Sequence, residues 1–93
     1  MCDDKMAFQV GEIREITQTV SSIVKNETVV IASSEYELTK EFNGVLVSEG
    51  KCEIKGNVAT ALLEFNEKGT FCLRIISRVG REKVISKTQI EVE

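Results

Sequence analysis

The residues that invite a chemical reading lie close to the C-terminus. Arg74, Arg78, Arg81, Lys83 and Lys87 share one stretch in which Glu82 is the opposing charge. A cluster of one sign attracts carboxylates or phosphates. No aromatic residues are interleaved with these cations, so the base-stacking platform of single-stranded nucleic-acid binders is missing. The net charge of −3 also argues against a nucleic-acid partner. The plainer reading is a solvated strand face whose cations meet acidic residues on neighbouring strands. Catalysis has less to draw on. The chain contains no His, the commonest general base and metal ligand. Glu35/Glu37 and Glu64/Glu67 have the spacing of paired carboxylates but read more simply as solvated strand faces and turns. The many Ser and Thr residues combine with no base and orienting group into a nucleophilic set. The glycines are dispersed, so there is no phosphate loop, and Asp3-Asp4 is too short for a calcium loop. The expected catalytic, cofactor-binding and metal-binding sets are empty, and no small-molecule substrate is expected.

Cys2, Cys52 and Cys72 are an odd set of three with no Cys-x-x-Cys pair. They are expected to be reduced thiols, two of them buried as small apolar residues. A Cys52–Cys72 bond would need the two residues on facing strands, with Cα atoms within roughly 7 Å.

The elements that position the cations are β-strands. Thr70 to Val79 and Lys83 to Val92 flank a turn around Gly80-Arg81-Glu82, which is a hairpin signal. In the second run Val84, Ile90 and Val92 share a parity opposite Lys87, Gln89, Glu91 and Glu93. In the first run Phe71, Leu73, Ile75 and Val79 share a parity, while Cys72 and Ile76 make the other face partly apolar. A strand apolar on both faces belongs in the middle of a sheet. Upstream, Met6 to Ile13 alternates and contains Gly11, a place to bend or bulge. Arg14 to Val24 fits helical spacing through Ile13, Ile16, Val20, Ile23 and Val24, yet it is rich in β-branched residues, and the strand-rich remainder favours strand. Thr28 to Thr39 is the longest β-rich run, with Val30, Ala32, Tyr36 and Leu38 on one parity. Turns are expected at Lys25-Asn26-Glu27, Asn43-Gly44, Glu49-Gly50, Gly56-Asn57 and Asn66-Glu67-Lys68-Gly69, with short strands at Val45-Leu46-Val47, Cys52-Glu53-Ile54 and Val58 to Phe65.

Ninety-three residues make one domain, 1–93, with residues 1–5 a frayed polar terminus. Apolar content is 42%, with four Phe, one Tyr and no Trp, so the core must be built from Val, Ile and Leu. No run reaches the roughly 18 apolar residues of a membrane span, and no membrane partner is expected. Met1-Cys2-Asp3-Asp4-Lys5 lacks the layout of a signal peptide, so synthesis in the cytoplasm is expected. Pro is absent, so edge strands must be guarded by charges such as Lys40, Glu41, Lys51, Glu53 and Lys55.

Gly69-Thr70-Phe71, the alternating strand after it, the Gly-centred turn and the closing Ile90-Glu91-Val92-Glu93 resemble the terminal hairpin of bacterial and phage immunoglobulin-like domains. Tyr36-Glu37-Leu38 followed by Asn43-Gly44, and then Gly56-Asn57-Val58, is similar to such domains in small phage and prophage virion proteins. The resemblance covers about residues 27 to 93. Phe71 stands where many members carry Tyr, so the hydroxyl of a tyrosine corner is missing. The expected fold is all-β: an immunoglobulin-like sandwich of about seven antiparallel strands. Its expected core comprises Phe8, Val30, Ala32, Tyr36, Leu38, Ile54, Ala61, Leu63, Phe71, Leu73, Ile75, Ile90 and Val92. The resemblance implies a non-catalytic structural or interaction module, a small virion- or tail-associated protein assembled into a virion. The alternative is a binding module of a secreted or cell-surface bacterial protein.

A two-layer sandwich buries one face of each sheet, yet Thr28 to Ala32, Val45-Leu46-Val47 and Val84-Ile85 are apolar on both parities. Surplus apolar surface marks an interface. The expected interaction surface is Val45, Val47, Arg74, Arg78, Arg81, Lys83, Ile85 and Lys87, and the expected partners are proteins, by self-association or by docking on a virion assembly. The competing expectation is that Met6 to Val24 folds over the apolar residues and seals them.

Overall fold

The structure, a computed structural model, describes residues 4–21 and 29–93. Eight strands are present among them: β1 (Asp4–Phe8), β2 (Ile13–Thr19), β3 (Ser33–Lys40), β4 (Leu46–Lys51), β5 (Glu53–Lys55), β6 (Val58–Glu64), β7 (Gly69–Val79) and β8 (Glu82–Val92). They form a five-stranded sheet, β1-β8-β7-β3-β4, and a three-stranded sheet, β2-β6-β5. The two sheets share one apolar cluster that includes Ile16, Leu38, Ala61, Leu63, Phe71, Leu73 and Ile90. This is an immunoglobulin-like β-sandwich. The eight strands meet the expectation of about seven, and one pairing departs from the antiparallel arrangement, since β1 runs parallel to β8. Residues 1–5 also include the start of β1, since Asp4 and Lys5 are in register with Thr88 and Gln89. The β-branched residues of Arg14 to Val24 prevail over their helical spacing as far as Thr19, pairing with β6; the turn at Lys25-Asn26-Glu27 lies outside the described residues.

The C-terminal hairpin is the spine of the larger sheet. β7 and β8 stay in register from Gly69↔Val92 to Val79↔Glu82, joined by Gly80-Arg81. Gly80 has φ of +59°, a left-handed conformation that favours glycine. β7 also pairs with β3 along its other edge, so it is central, as its two apolar faces imply.

Two places depart from the alternation read in the sequence, and both are crossings between sheets. Ile31 N–H donates to the Gly56 carbonyl on the small-sheet side, and the next residue, Ala32, donates to the Arg78 carbonyl of β7. The chain bends at Ala32, and the phase of alternation slips there. Ile31 and Ser34 are buried, while Val30 and Ala32, both expected in the core, are exposed. The second crossing is at Cys52, whose N–H donates to the Ser34 carbonyl as the chain leaves β4 for β5. Glu49-Gly50 is therefore no turn but part of β4. Gly50 lies opposite Tyr36, and a Cβ at this position would come within 3.0 Å of the Tyr36 ring. Tyr36 and Ile54 are packed against the core while remaining partly exposed. Ile16, Val20, Cys52, Ala59 and Phe65 join the core beyond those expected.

One buried polar group crosses the sandwich. Gln18 of β2 faces inward and is 5% exposed. Its Nε2 donates to Ser86 Oγ at 2.6 Å and to the Ile75 carbonyl at 3.3 Å. Ser77 Oγ donates to Gln18 Oε1. Ser77 has one proton to give, so Ser34 Oγ, 2.9 Å away, must donate to Ser77. The amide thereby ties β2 to β7, β8 and β3 with its donors and acceptor all engaged. Removing it would leave buried hydroxyls without partners, at a cost of about 1–3 kcal/mol each. Gln18→Leu should lower the unfolding free energy read from urea melts by an amount of that order, shifting the midpoint without changing the m-value. In a cycle with Ser77→Ala the two losses should be markedly non-additive. Simple additivity would show that the groups act independently.

Candidate interaction face

The outward side of the five-stranded sheet is set by strand register. Across β8, β7, β3 and β4 the residues align in rows. One row reads Lys87, Arg74, Glu37, Glu49, and the next reads Ile85, Ile76, Glu35, Lys51. Beyond it come Lys83, Arg78 and Ser33. Two like-charged pairs, Arg74/Lys87 and Arg78/Lys83, stand directly opposite each other, which costs stability within a sheet. Glu37 and Glu49 are a third such pair, of the other sign. Arg74 is relieved by Glu37 at 3.7 Å, both side chains being more than a third exposed. At that exposure the bridge is worth about 0–1 kcal/mol. Arg74 Nε is buried with no hydrogen-bond partner. Ile76 belongs to this outward face, yet it is 6% exposed. Ile85 beside it is 41% exposed and forms the apolar centre of the strip.

The residues expected to form one interaction surface divide into two groups. Arg74, Arg78, Lys83, Ile85 and Lys87 lie together on β7 and β8, with Arg81 in the turn beyond their end. Val45 and Val47 lie at the other side of the sheet, just before and on the edge strand β4, with β3 between them and the cations of β7 and β8. Between Leu38 and Thr39 the register shifts, and Val47 falls in the resulting bulge. Val47 lines a small cleft of about 130 Å³ between the sheets, with Leu38, Phe65 and Phe71. Phe42 in the adjoining turn is 95% exposed. Sequence reading missed it, although its place beside Asn43-Gly44 was a signal that its ring would be carried out of the strand. Gly44 N–H donates to the Lys40 carbonyl, and Asn43 Oδ1 accepts from Val45 N–H. Among the described residues, the Met6 to Val24 segment does not cap these positions. β1 extends the edge of the large sheet and β2 is an edge strand of the small one, so Val45, Val47 and Ile85 stay exposed.

The larger hollow, about 410 Å³, opens where the chain crosses from β4 to β5, between Ser34, Glu35, Cys52, Ile54, Ile76 and Arg78. Cys52 and Cys72 are both thiols with no disulfide between them. Cys52 is buried at the crossing, whereas Cys72 is half-buried opposite Thr39 and Gln89. Burial raises the Cys52 thiol above its ordinary value, a hydrogen bond with Ser34 lowers it in part, and the Glu35 charge raises it again. A thiol held neutral is a poor nucleophile. Among the described residues, no group of three or more His, Cys, Asp or Glu side chains could hold a metal ion.

These features define a small β-sandwich with a charged, partly apolar sheet face. No known protein family matches the sequence, and no curated protein matches it either. Solved structures do resemble the fold. An engineered protein superposes with a TM-score of 0.72 and 11% identity over 99% of this chain, which spans only 18% of that protein. CopC from Methylosinus trichosporium OB3b superposes with a TM-score of 0.66 and 15% identity, over 100% of this chain and 85% of its own. At these identities the likeness is one of fold.

The raised thiol has a consequence at alkaline pH. The unfolded chain ionises Cys52 near 9.0, before the folded protein does. This contribution to stability is complete below that pH and lost as pH rises towards the folded value. Stability should fall more steeply above pH 9 in the parent than in Cys52→Ala, as read from urea midpoints. Identical alkaline slopes would remove Cys52 as the cause.

Proposed function

We propose that this domain is a non-catalytic structural or interaction module, and that its docking surface is the outward face of β7 and β8. The observation that carries the reading is the pair of like-charged cross-strand neighbours, Arg74/Lys87 and Arg78/Lys83, set around Ile76 and Ile85. A strip that is internally repulsive and apolar at its centre gains most from a partner that brings carboxylates and an apolar side chain together. The fitting partner is an acidic protein segment. The resemblance of the terminal hairpin to phage and prophage immunoglobulin-like domains supports a virion or tail assembly as the setting. The secreted or surface binding module would use the same face, and both roles are compatible with a domain embedded in a longer polypeptide.

A titration of isotope-labelled protein with a short poly-glutamate peptide tests the face. Backbone amide shifts should concentrate on Arg74 to Lys87 and disappear at high salt, because the screening length falls from about 10 Å at 0.1 M to about 3 Å at 1 M. Lys83→Glu combined with Arg78→Glu should abolish the shifts while leaving the unfolding free energy within about 0.5 kcal/mol of the parent. Shifts scattered over both sheets, or none at low salt, would overturn the assignment.

A further inference from the structure

The row Lys87, Arg74, Glu37, Glu49 runs straight across β8, β7, β3 and β4 with its charges ordered plus, plus, minus, minus. Such a row is its own complement. A two-fold axis parallel to the strands and midway between β7 and β3 would turn the face onto itself, bringing β7 over the second copy's β3 and β8 over its β4. Lys87 then meets Glu49 of the second copy, and Arg74 meets its Glu37. Symmetry makes each contact twice. We infer that the acidic partner of the β7–β8 strip is the β3–β4 half of a second copy of this chain, in a face-to-face dimer. The inference rests on the reading of that face as the docking surface.

Two observations support the second copy over an unrelated acidic segment. Within one chain, Lys87 and Arg74 repel each other, as do Glu37 and Glu49, and the single ion pair of the row is Arg74–Glu37. A partner carrying only carboxylates would relieve the basic half and leave the acidic half as it is. A second copy relieves both. The distances also fit: strands about 4.8 Å apart make the row about 14 Å wide, and sheets pack about 10 Å apart, which lets Lys, Arg and Glu side chains meet between them. The same axis brings Ile85 over Lys51 and Ile76 over Glu35 of the second copy, so the adjacent row adds little apolar contact. The ionic row must carry the contact, and its charges must be partly desolvated. The dimer should therefore be weak and strongly salt-dependent.

Sedimentation across a concentration series, on the full chain, tests this. A monomer–dimer equilibrium is expected, with a dissociation constant rising by about tenfold or more between low and high salt. Glu49→Lys alone and Lys87→Glu alone should each be monomeric, because each places like charges at both symmetric contacts. Mixed in equal amounts, the two variants should form a heterodimer about as stable as the parent dimer, since both contacts are again opposite in sign. Both residues are exposed, and circular dichroism verifies that the variants fold. A strictly monomeric parent at low salt and high concentration would overturn the dimer, as would a parent dimer indifferent to either substitution or a mixture that stays monomeric. If the parent is monomeric but poly-glutamate still shifts the β7–β8 amides, the docking face stands and the second copy is excluded. If the amides also fail to move, both readings fall.

Discussion

Gln18 fixes how the two layers of the sandwich sit on each other. Apolar packing between sheets tolerates small slides, because Val, Ile and Leu meet one another without directional demand. An amide does not. Its Nε2 must find Ser86 and the Ile75 carbonyl, and its Oε1 must receive the Ser77 proton. Those partners lie on adjacent strands of the five-stranded sheet, while Gln18 comes from the three-stranded one. A slide by even one residue would leave several buried polar groups without partners, at about 1–3 kcal/mol each. Ser34 extends the set to β3 at the point where the chain has just crossed between sheets.

The same arrangement explains why the larger sheet has a charged outward side. β7 must turn Phe71, Leu73, Ile75 and Ser77 inward to meet β2 and β6, and strand alternation then forces Cys72, Arg74, Ile76 and Arg78 outward. β8 follows the register of β7, so Lys83, Ile85 and Lys87 stand beside them. Glu35 and Glu37 are aimed outward for the same reason on β3. The acidic and basic halves are therefore products of one register. A shift of one residue in any of these strands would exchange faces and dissolve the pattern.

Much of this was legible in the chain itself. Period-two alternation located the terminal hairpin, and Gly80 marked its turn. The cation cluster stood out as the candidate site in a chain without His. Phe71, Leu73, Ile75, Ile90 and Val92 announced their burial because they lie on long strands that do not change sheet. The cations of the candidate site were visible as a cluster because the hairpin keeps neighbours in sequence close in space.

Tertiary structure decided what alternation cannot encode. A strand that crosses between layers must break its hydrogen-bond ladder, and the inward phase is then set anew by whichever strand it joins next. That is why Ile31 is buried while Val30 and Ala32 are exposed, and why Cys52, flanked by charged Lys51 and Glu53, lies in the core. Gly50 read as a turn because glycine usually makes one, yet its reason is the Tyr36 ring on the neighbouring strand. The row Lys87, Arg74, Glu37, Glu49 joins residues far apart in sequence, and only the pairing of β8, β7, β3 and β4 places them side by side. The sequence by itself determined which residues are fit for strand, turn and surface, since those preferences act within a few bonds. Which strand stands beside which, and so which charges meet, was left to the packing of two unequal sheets around one shared core.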